Sequence, residues 1–558
     1  MKKNNTLGWI WHRTGKVKYC VLFLCLIQII QSGTTVLSAW VMRSLINNAV
    51  SKDRDNFIIS AILFVCIPVS QIIFNSFSRS LTEYSAAQTE NILKERLFSV
   101  LLKKDYSEVT AIHSGEWMNR LTSDTKVVAD GVSVIAPELT GMIVKLIGAI
   151  VSIIIMIPVF GAFVVPGGII LALFTFGFRK VLKRLHKKIQ ETDGVLRVFL
   201  SERLTCLSMI KVFSKEEQET ALASEKMTLH KDARMKRMRF SNICNIGFAF
   251  VMRGVYVAGG IYCAIGILNG AMSYGDFTAI LQLIGQIQSP FANITGYIPK
   301  YFAMTASAER LMDAEIFDDD LSEETDGTFD PSSFYSSKFK AVVFENVDFR
   351  YRAVQGGSKE NMPVVLNKFN MTISKGDYVA FTGHSGCGKS TVMKLLLSLY
   401  REDEGRRFII TSDKEEKLDS SKRKLFSYVP QGNFLMSGSV REIVSFSDKN
   451  GMTDDEGIMR ALKIACADEF VNNLENGADF VLGERGTGLS EGQIQRIAIA
   501  RAVYSDNPIL LLDEATSSLD EATEKKVLEN LKTMTDKTVV IITHRPAALD
   551  ICNKIIEF

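Results

Sequence analysis

The residues best suited to chemistry lie in the loop GHSGCGKST, from Gly383 to Thr391. The loop fits the pattern G-x-x-x-x-G-K-[ST], follows a strand-like run at Tyr378–Thr382 and opens a helix-like run at Val392–Leu399. Glycines let backbone N–H groups wrap phosphate oxygens, and a helix N-terminus adds its positive end. The loop is therefore predicted to bind phosphate through these residues: Gly383, Ser385, Gly386, Gly388, Lys389, Ser390 and Thr391.

Two side chains of this loop and two later carboxylates could act on a bound nucleotide. Lys389 is placed to reach the β- and γ-phosphates, and Ser390 to bind Mg²⁺. The apolar strand-like run Ile509–Leu512 ends in Asp513 and Glu514. A strand that delivers a carboxylate to its end is how such sites hold Mg²⁺, and a neighbouring carboxylate can polarise the attacking water. Asp513 is therefore the predicted metal ligand and Glu514 the predicted base.

A third motif, LSEGQ at Leu489–Gln493, stands between these two elements and is followed by QRIAIARA. It resembles the signature motif of the ATPase domains of ABC transporters. The resemblance implies that ATP and Mg²⁺ are the cofactors, and it implies further site residues. These are Tyr351 stacking on adenine, Gln431 as a catalytic and metal-binding glutamine that joins the ATP site to the membrane domain, Ser490, Gly492 and Gln493 of the signature, Asp520 of the loop Ser518–Asp520, and His544 contacting the γ-phosphate.

Three further segments resemble the exporter branch of that family. They are GERG at Gly483–Gly486, HSGEWMNRLTSDT at His113–Thr125 and SERLTCLSMIKVFSKEE at Ser201–Glu217. The last two resemble the first and second coupling regions of six-span exporters. The implied fold is an α-helical membrane domain of six spans with long cytoplasmic extensions, fused to an α/β P-loop ATPase domain of ABC type. The implied activity is export driven by ATP hydrolysis, through alternating access in a dimer.

The resemblance also implies a second half-transporter, because ATP would lie between the lysine loop of one ATPase domain and the signature of the other. The signature departs from the family at Glu491, where glycine is usual. A carboxylate there leaves open a heterodimer with unequal ATP sites beside a homodimer. The chain ends at Phe558, soon after His544, so the closing helix of the domain is expected to be shortened or missing.

The elements that must position these residues divide the chain into an apolar N-terminal half and a more polar C-terminal half. A length of 558 residues is too great for one core. Hydrophobic residues make up 47% and the mean hydropathy is +0.12, although 23% of the residues are charged. The net charge of +3 gives no reason to expect a nucleic-acid partner. Nine scattered cysteines indicate reduced packing residues rather than a disulfide framework or a metal site.

Six stretches before residue 310 are apolar over roughly 20 residues, enough to span a bilayer. Two of the loops between them are long and basic, which places these loops and both termini in the cytoplasm. Their helical composition predicts helices that continue beyond the lipid and reverse near Asp105–His113 and Ser201–Lys211. The expected spans are 19–42, 57–78, 133–157, 160–178, 243–268 and 276–298.

Three charged residues lie within the expected spans: Arg253, Glu138 and Lys145. Charges inside a membrane usually face a cavity or a partner, so these residues are candidates to line a substrate path, and Arg253 and Lys145 point to an anionic group in the substrate. Paired or snorkelled structural charges are the alternative. The cargo itself stays open among drugs, lipids, peptides and siderophores.

The chain is expected to comprise a membrane domain at 1–317, an acidic, Ser-rich linker at 318–338 and the ATPase domain at 339–558. An ATP-gated channel or regulatory receptor would carry similar parts, but intact Glu514 and His544 argue against an inactive ATPase. The spans exclude a soluble ATPase that acts on DNA or ribosomes, and the fusion disfavours an importer. The layout is typical of an integral protein of a bacterial inner membrane.

Overall fold

The computed structural model describes residues 6–320, 329–351, 362–432, 435–448, 454–483, 486, 488–534 and 536–558; at 159–180, 183, 289–295 and 298 it describes the backbone alone. The chain divides into two compact units. One comprises Met1–Leu97 and Asn119–Met312, and the other comprises Phe98–Met118 and Asp313–Phe558. Glu484 and Arg485 of the expected exporter motif, and linker residues 321–328, lie outside the described residues.

Helices make up the first unit, and six of them are long. Each long helix contains one expected span, apart from residue 157, which directly follows its helix. Among the described residues, four helices are long and apolar enough to cross a membrane: Val17–Val50, Arg54–Lys103, Ser114–Met156 and Glu216–Leu268. The long helices are α2 (Val17–Val50), α3 (Arg54–Lys103), α6 (Thr125–Met156), α7 (Pro158–Thr205), α9 (Glu216–Leu268) and α10 (Tyr274–Ile316), preceded by the short α1 (Thr6–Arg13).

The two expected reversals are present as short helices. The first is built from α4 (Tyr106–Thr110) and α5 (Ser114–Asn119), followed by a π-helical turn at Arg120–Asp124. Asp105 caps α4, since its side chain accepts a hydrogen bond from the backbone N–H of Ser107. The second reversal is α8 (Leu207–Val212).

Close approach of α2 and α6 is made possible by glycine. A Cβ on Gly141 would lie 3.1 Å from the Ser32 hydroxyl oxygen, and one on Gly148 would lie 3.0 Å from Val36. Small residues at such crossings let membrane helices pack backbone against backbone. The Ser32 hydroxyl uses this proximity to donate a hydrogen bond of 2.8 Å to the Gly141 carbonyl.

The second unit contains two main sheets. A five-stranded parallel sheet has the order β11-β3-β10-β9-β6, and a four-stranded antiparallel sheet has the order β2-β1-β4-β5. The strands are β1 (Phe339–Phe349), β2 (Leu366–Ser374), β3 (Tyr378–Thr382), β4 (Glu404–Thr411), β5 (Glu415–Lys417), β6 (Phe426–Val429), β7 (Gly438–Ser439), β8 (Val481–Leu482), β9 (Ile509–Asp513), β10 (Thr538–Ile542) and β11 (Lys554–Glu557), with β7 and β8 forming a separate pair.

Helices cover the parallel sheet, whose central strands are apolar throughout. Every residue of β9 and β10 is buried, as expected for parallel strands packed on both faces. The helices of this unit, besides α4 and α5, are α11 (Pro331–Ser337), α12 (Lys389–Leu396), α13 (Val440–Val444), α14 (Asp455–Ile464), α15 (Asp468–Asn472), α16 (Glu491–Tyr504), α17 (Glu521–Lys532) and α18 (Pro546–Leu549), with 3-10 turns at Ser420–Leu425 and Gly477–Asp479.

Part of the expected linker is helical. Asp330 caps α11 by accepting a hydrogen bond from Ser332, and Pro331 occupies the first turn. Tyr335 of this helix is buried and stacks on Phe339 at the start of β1, with 5.0 Å between ring centroids. Tyr335 therefore ties this Ser-rich segment to the sheet.

The segment Phe98–Met118 belongs to the same compact unit as the sheets. The backbone N–H of Asp105 donates to the Asp318 carbonyl at 2.9 Å, and the N–H of Asp320 donates to the Lys103 carbonyl at 2.9 Å. The Tyr106 ring meets Tyr400 edge-on at 5.7 Å. These contacts join the end of α3 to the segment that follows α10, which is distant in sequence.

Candidate functional site

Four parallel strands present the predicted site residues at one edge of the sheet. The loop Gly383–Thr391 begins after β3, Gln431 comes soon after β6, Glu514 follows β9 and His544 follows β10. The register pairs Ile542 with both Asp513 and Phe381, so these strands end nearly level. In open α/β sheets, ligands bind at the carboxyl ends of the strands.

The phosphate-binding loop depends on the conformational freedom of glycine. Gly383, Gly386 and Gly388 have φ angles of 134°, 86° and 109°, in the region that disfavours a Cβ. Gly388 directly precedes α12, so the loop delivers backbone N–H groups at a helix N-terminus. The Lys389 ammonium donates to the Gly383 carbonyl at 2.7 Å and to the His384 carbonyl at 2.9 Å. The lysine is thus held against the loop with which it is predicted to bind phosphate.

The two predicted metal ligands of the loop and the strand are already adjacent. The Ser390 hydroxyl donates to Asp513 Oδ1 at 3.1 Å, and the Tyr428 hydroxyl donates to Asp513 Oδ2 at 3.4 Å. Burial raises the pKa of the Asp513 carboxyl, and the hydrogen bond from Ser390 opposes that rise. Burial also raises the pKa of the Tyr428 hydroxyl, so this group stays a neutral donor to the carboxylate.

Glu514 is held in a strained backbone conformation. Its φ of 51° lies in the left-handed region, although it is not glycine, and its N–H donates to the Ile542 carbonyl at 3.1 Å. Residues held in such conformations cluster at functional sites. Gln431 Nε2 donates to Glu514 Oε2 at 2.9 Å, which orients the carboxylate. His544 is exposed at the same edge of the sheet.

Tyr351 lies next to the phosphate-binding loop. Its hydroxyl is 2.9 Å from the Thr391 hydroxyl, and its ring packs edge-on against Phe349 and Tyr400. Burial raises the pKa of the Tyr351 hydroxyl. The position suits an aromatic contact to a base whose phosphates lie in the loop, and that role stays a prediction.

The signature residues begin helix α16. Ser490 caps the helix and forms a reciprocal capping box with Gln493, while Ser490 and Glu491 are exposed. A Cβ on Gly492 would lie 2.9 Å from the Ser518 carbonyl oxygen, so only glycine fits there without a shift. Asp520 caps α17 through Thr523, and these hydrogen bonds hold the pKa of its carboxyl below the ordinary value.

A network that the sequence interpretation missed ties these motifs together. Gln495 Nε2 donates to the Ser517 hydroxyl at 2.9 Å, and its Oε1 accepts from the Ser518 N–H at 2.9 Å. Arg545, next to His544, donates to the Leu519 carbonyl at 2.7 Å, the Ser517 carbonyl at 2.6 Å and Glu524 Oε2 at 3.0 Å. The signature helix, the loop before α17 and the histidine segment are therefore linked.

The residues present suit the cofactors that the sequence predicts. Mg²⁺ prefers oxygen ligands and is usually bound through one or two carboxylates plus substrate phosphates. Ser390, Asp513 and Gln431 supply a hydroxyl, a carboxylate and an amide oxygen at one edge of the sheet. Across the described ranges, no group of three or more His, Cys, Asp or Glu side chains could hold a metal by itself. This donor set fits a metal that arrives together with a nucleotide.

The three charged candidates of the membrane unit are placed differently. Arg253 is exposed on α9, whereas Glu138 and Lys145 are partly buried on α6. Their part in a substrate path stays a prediction.

Two family models match the chain. A model of the ABC transporter transmembrane region matches residues 21–291, and an ABC transporter model matches residues 366–517. Together they match about three quarters of the chain. The first ends within α10, and the second runs from β2 to the loop that follows Glu514.

Related proteins of known sequence agree with both matches. The chain is 27% identical to a putative export ATP-binding/permease protein of Rickettsia felis, over 93% of this chain and 88% of that protein. It is 30% identical to the leukotoxin translocation ATP-binding protein LktB of Mannheimia glucosida, over 67% of this chain and 51% of that protein. The chain spans half the length of ABC transporter B family member 1 of Dictyostelium discoideum, at 28% identity.

A solved structure shares the whole architecture. The structure of a bacterial Atm1-family ABC exporter with ATP bound superimposes with a TM-score of 0.80 and 21% identity, covering 97% of this chain and 93% of that chain. At this level of identity the likeness establishes the fold.

Proposed function

The chain belongs to the ABC transporter family as an integral membrane protein with a fused ATPase that drives export, and from this premise we propose how it works. Two half-transporters associate, and ATP binds between the Lys389 loop of one and the signature residues Ser490 and Gly492 of the other. The exposure of Ser490 in the isolated chain supports this, because a capped helix start is an anion-binding element with a surface free to meet a partner.

Within each site, the roles follow from the edge of the sheet. Lys389 and the loop N–H groups hold the phosphates. Ser390, Asp513 and Gln431 would hold Mg²⁺, which would supply positive charge to the phosphate oxygens. Glu514, oriented by Gln431, accepts a proton from the attacking water. His544 binds the γ-phosphate, and Asp520 extends towards the partner. The closed state binds ATP better than the open state, so binding shifts the population and hydrolysis restores it.

One observation carries this proposal most directly: the loop Gly383–Thr391, Asp513 with Glu514, Gln431 and His544 follow adjacent parallel strands at one edge. The domain bounds stay part of the proposal, with the membrane domain at 1–317, the linker at 318–338 and the ATPase domain at 339–558. So does the placement in a bacterial inner membrane, with the ATPase domain and both termini in the cytoplasm.

The test is ATP hydrolysis by the full chain in lipid nanodiscs, with particle mass measured alongside. We expect dimers whose turnover falls by about 100-fold or more in Glu514→Gln, the scale of lost acid–base catalysis, while ATP binding persists. Glu529→Gln, an exposed carboxylate on α17, is the matched control and should retain full turnover. Turnover that survives in Glu514→Gln would remove the assigned base.

A heterodimer with unequal ATP sites is the second candidate, and Glu491 favours it. This exposed carboxylate occupies the first residue of α16, where its charge opposes an incoming phosphate. A pure chain that stays monomeric, or that dimerises without hydrolysing ATP, would support this candidate and indicate a different partner chain.

A further inference from the structure

A band of uncharged polar side chains joins three helices in the membrane unit. Gln31 Nε2 donates to Asn75 Oδ1 at 2.6 Å, and Gln71 Nε2 donates to the Thr35 hydroxyl at 3.3 Å. Gln282 Nε2 donates to the Ser38 hydroxyl at 2.8 Å. We name this band the polar seam, and its members are Gln31, Thr34, Thr35 and Ser38 on α2, Gln71 and Asn75 on α3, and Gln282 and Gln286 on α10.

Gln286 and Thr35 of the polar seam lie deep in the membrane-spanning parts of α10 and α2. At a rise of 1.5 Å per residue, Gln286 lies about 18 Å from the start of α10 at Tyr274, and Thr35 about 22 Å from the end of α2 at Val50. The hydrocarbon layer is about 30 Å thick, so both positions lie well inside it. Uncompensated amides are costly at this depth.

Helix α2 separates this seam from the surface that meets lipid. Leu22, Leu26, Ile30 and Leu37 are all exposed, and their spacing places them on one apolar face. Positions 31, 34, 35 and 38 recur at three- and four-residue intervals on a different face. A helix with two such faces packs the apolar one towards lipid and directs the polar one into the bundle.

Two members of the polar seam remain exposed, although they are polar. Asn75 and Gln282 are exposed in the isolated chain, despite their hydrogen bonds to Gln31 and Ser38. Exposed polar groups are tolerated at membrane depth where they line a water-filled cavity. This part of the surface is therefore better suited to a passage than to lipid.

Gln286 has a hydrogen-bonding capacity that the chain leaves unused. Its side-chain N–H donates to the Thr35 carbonyl at 2.8 Å, but Oε1 is buried and has no hydrogen-bond partner within the described part of the chain. The residue is 7% exposed, and Gln282 lies one helical turn away on the same face. An N–H or O–H group that reaches this oxygen would remove the cost of an unmade buried hydrogen bond.

From this geometry we propose that the polar seam is the substrate-binding surface and that the substrate is an uncharged molecule rich in amide N–H groups. This inference rests on the proposed export function. Carboxamides and hydroxyls both donate and accept, so they can exchange their mutual hydrogen bonds for those of a neutral amide. None of the eight seam side chains carries a charge that would pair with an ionic substrate, and buried unpaired charges are costly.

The test compares three short probes on the full chain in nanodiscs. The neutral probe is N-acetyl-trialanine amide. The ester probe replaces its internal amides by esters and so lacks the internal N–H donors, and the anionic probe carries a free C-terminal carboxylate in place of the terminal amide. Readouts are equilibrium binding of radiolabelled probe, ATP turnover and the unfolding temperature. We expect the neutral probe to bind and stimulate turnover, with about tenfold weaker binding of the other two, because a site built to hydrogen-bond discriminates against analogues that leave its groups unpaired.

The variants are Gln286→Leu and Gln282→Leu, matched to Asn48→Leu. Asn48 also makes an amide–hydroxyl hydrogen bond between α2 and α3, to Ser60 at 3.1 Å, but it lies outside the seam near the ends of those helices. We expect both seam variants to weaken binding of the neutral probe about tenfold and to lose the stimulation of ATP turnover by that probe. Asn48→Leu should leave binding unchanged.

Three outcomes would overturn the inference. In the first, the neutral probe neither binds nor stimulates a chain that has basal turnover. In the second, the three probes bind equally well. In the third, the seam variants lower only the unfolding temperature, as expected for hydrogen bonds that merely join helices. Absence of basal ATP turnover in the wild type would instead count against the proposed self-sufficient exporter, while probe binding would still report on the seam.

Discussion

The predicted ATP-binding residues at the edge of the parallel sheet and the polar seam are both sets of hydrogen-bonding side chains, but they are positioned in very different ways. At the edge, each group follows the end of a parallel strand, so position is fixed by the backbone and strained residues such as Glu514 are tolerated. In the seam, side chains from three helices meet only because the helices pack, and Gln286 Oε1 has no hydrogen-bond partner among the described residues. The predicted catalytic groups are thus held by strand ends, whereas the proposed recognition groups depend on contacts between helices.

The largest effect is expected from Arg545→Ala, because Arg545 donates hydrogen bonds to three backbone or side-chain partners near the predicted ATP site. Glu524 is only 2% exposed, and without the guanidinium its charge would keep only the Thr516 hydroxyl at 2.7 Å among the hydrogen bonds described. Loss of one partner of a fully buried pair costs about 3–5 kcal/mol, and the cost should be smaller here because the Arg545 side chain is 36% exposed. We expect a lower unfolding temperature in nanodiscs and weaker ATP turnover.

A double variant separates the charge from the packing in this network. Glu524→Gln removes the orphaned charge, so Arg545→Ala with Glu524→Gln should recover part of the unfolding temperature lost in Arg545→Ala alone. If the double variant is no more stable than the single one, the ion pair is not what holds the loop.

Gly388→Ala tests whether backbone conformation fixes the phosphate-binding loop. The φ of 109° is unfavourable for alanine, and the new Cβ would lie 2.9 Å from Leu366. A strain of roughly 1–3 kcal/mol should weaken ATP binding about tenfold or more, measured by equilibrium titration. Gly194→Ala on α7, where a Cβ meets nothing within 4 Å, should leave ATP affinity unchanged.

Glu491→Gly tests how strongly a single exposed charge changes the KM for ATP. Removal of a carboxylate from the first turn of α16 relieves repulsion of the phosphates and costs a little helix stability. An effect of about 0.3–1 kcal/mol predicts a KM for ATP that is roughly two- to fivefold lower. Asp468→Gly at the first residue of α15 provides the control. An unchanged KM would mean that Glu491 lies away from the nucleotide.

The smallest effect is expected in the membrane unit, from Ser32→Ala. This removes the hydrogen bond to the Gly141 carbonyl, and hydrogen bonds between membrane helices average about 0.6 kcal/mol. The unfolding temperature should change by no more than a few degrees, compared with Ser80→Ala, whose described hydroxyl hydrogen bond, to the Ser76 carbonyl, stays within its own helix. If the unfolding temperature fell as much as in Arg545→Ala, single hydrogen bonds in the membrane unit would contribute as much to stability as the Arg545 network does.

Much of the fold followed from local patterns in the sequence. Apolar length predicted the six spans, and breaks in the pattern predicted the reversals at α4–α5 and α8. The fully apolar run before Asp513 identified a buried strand. These features depend on composition over short windows, which the sequence displays directly.

The remaining features depend on contacts between distant segments. The Tyr335 hydroxyl lies 2.8 Å from the Thr538 hydroxyl, although Tyr335 stands in a stretch that reads as linker, and Gln495 donates to the Ser517 hydroxyl. Gln282 and Gln286 are ordinary polar residues until α2 packs against them. Each needs a partner far away in the chain, and a single sequence does not name that partner.

The position of Phe98–Met118 bears on how such proteins can be recombined. A chimera that exchanges the ATPase domain through a single junction after α10 would separate Asp318 and Asp320 from Asp105 and Lys103, their backbone partners. The transferable module consists of two pieces of chain, Phe98–Met118 and Asp313–Phe558. Grafts that carry both pieces should retain these backbone hydrogen bonds, because both partners come from the same donor. Grafts of the C-terminal piece alone would join surfaces that evolved in different molecules.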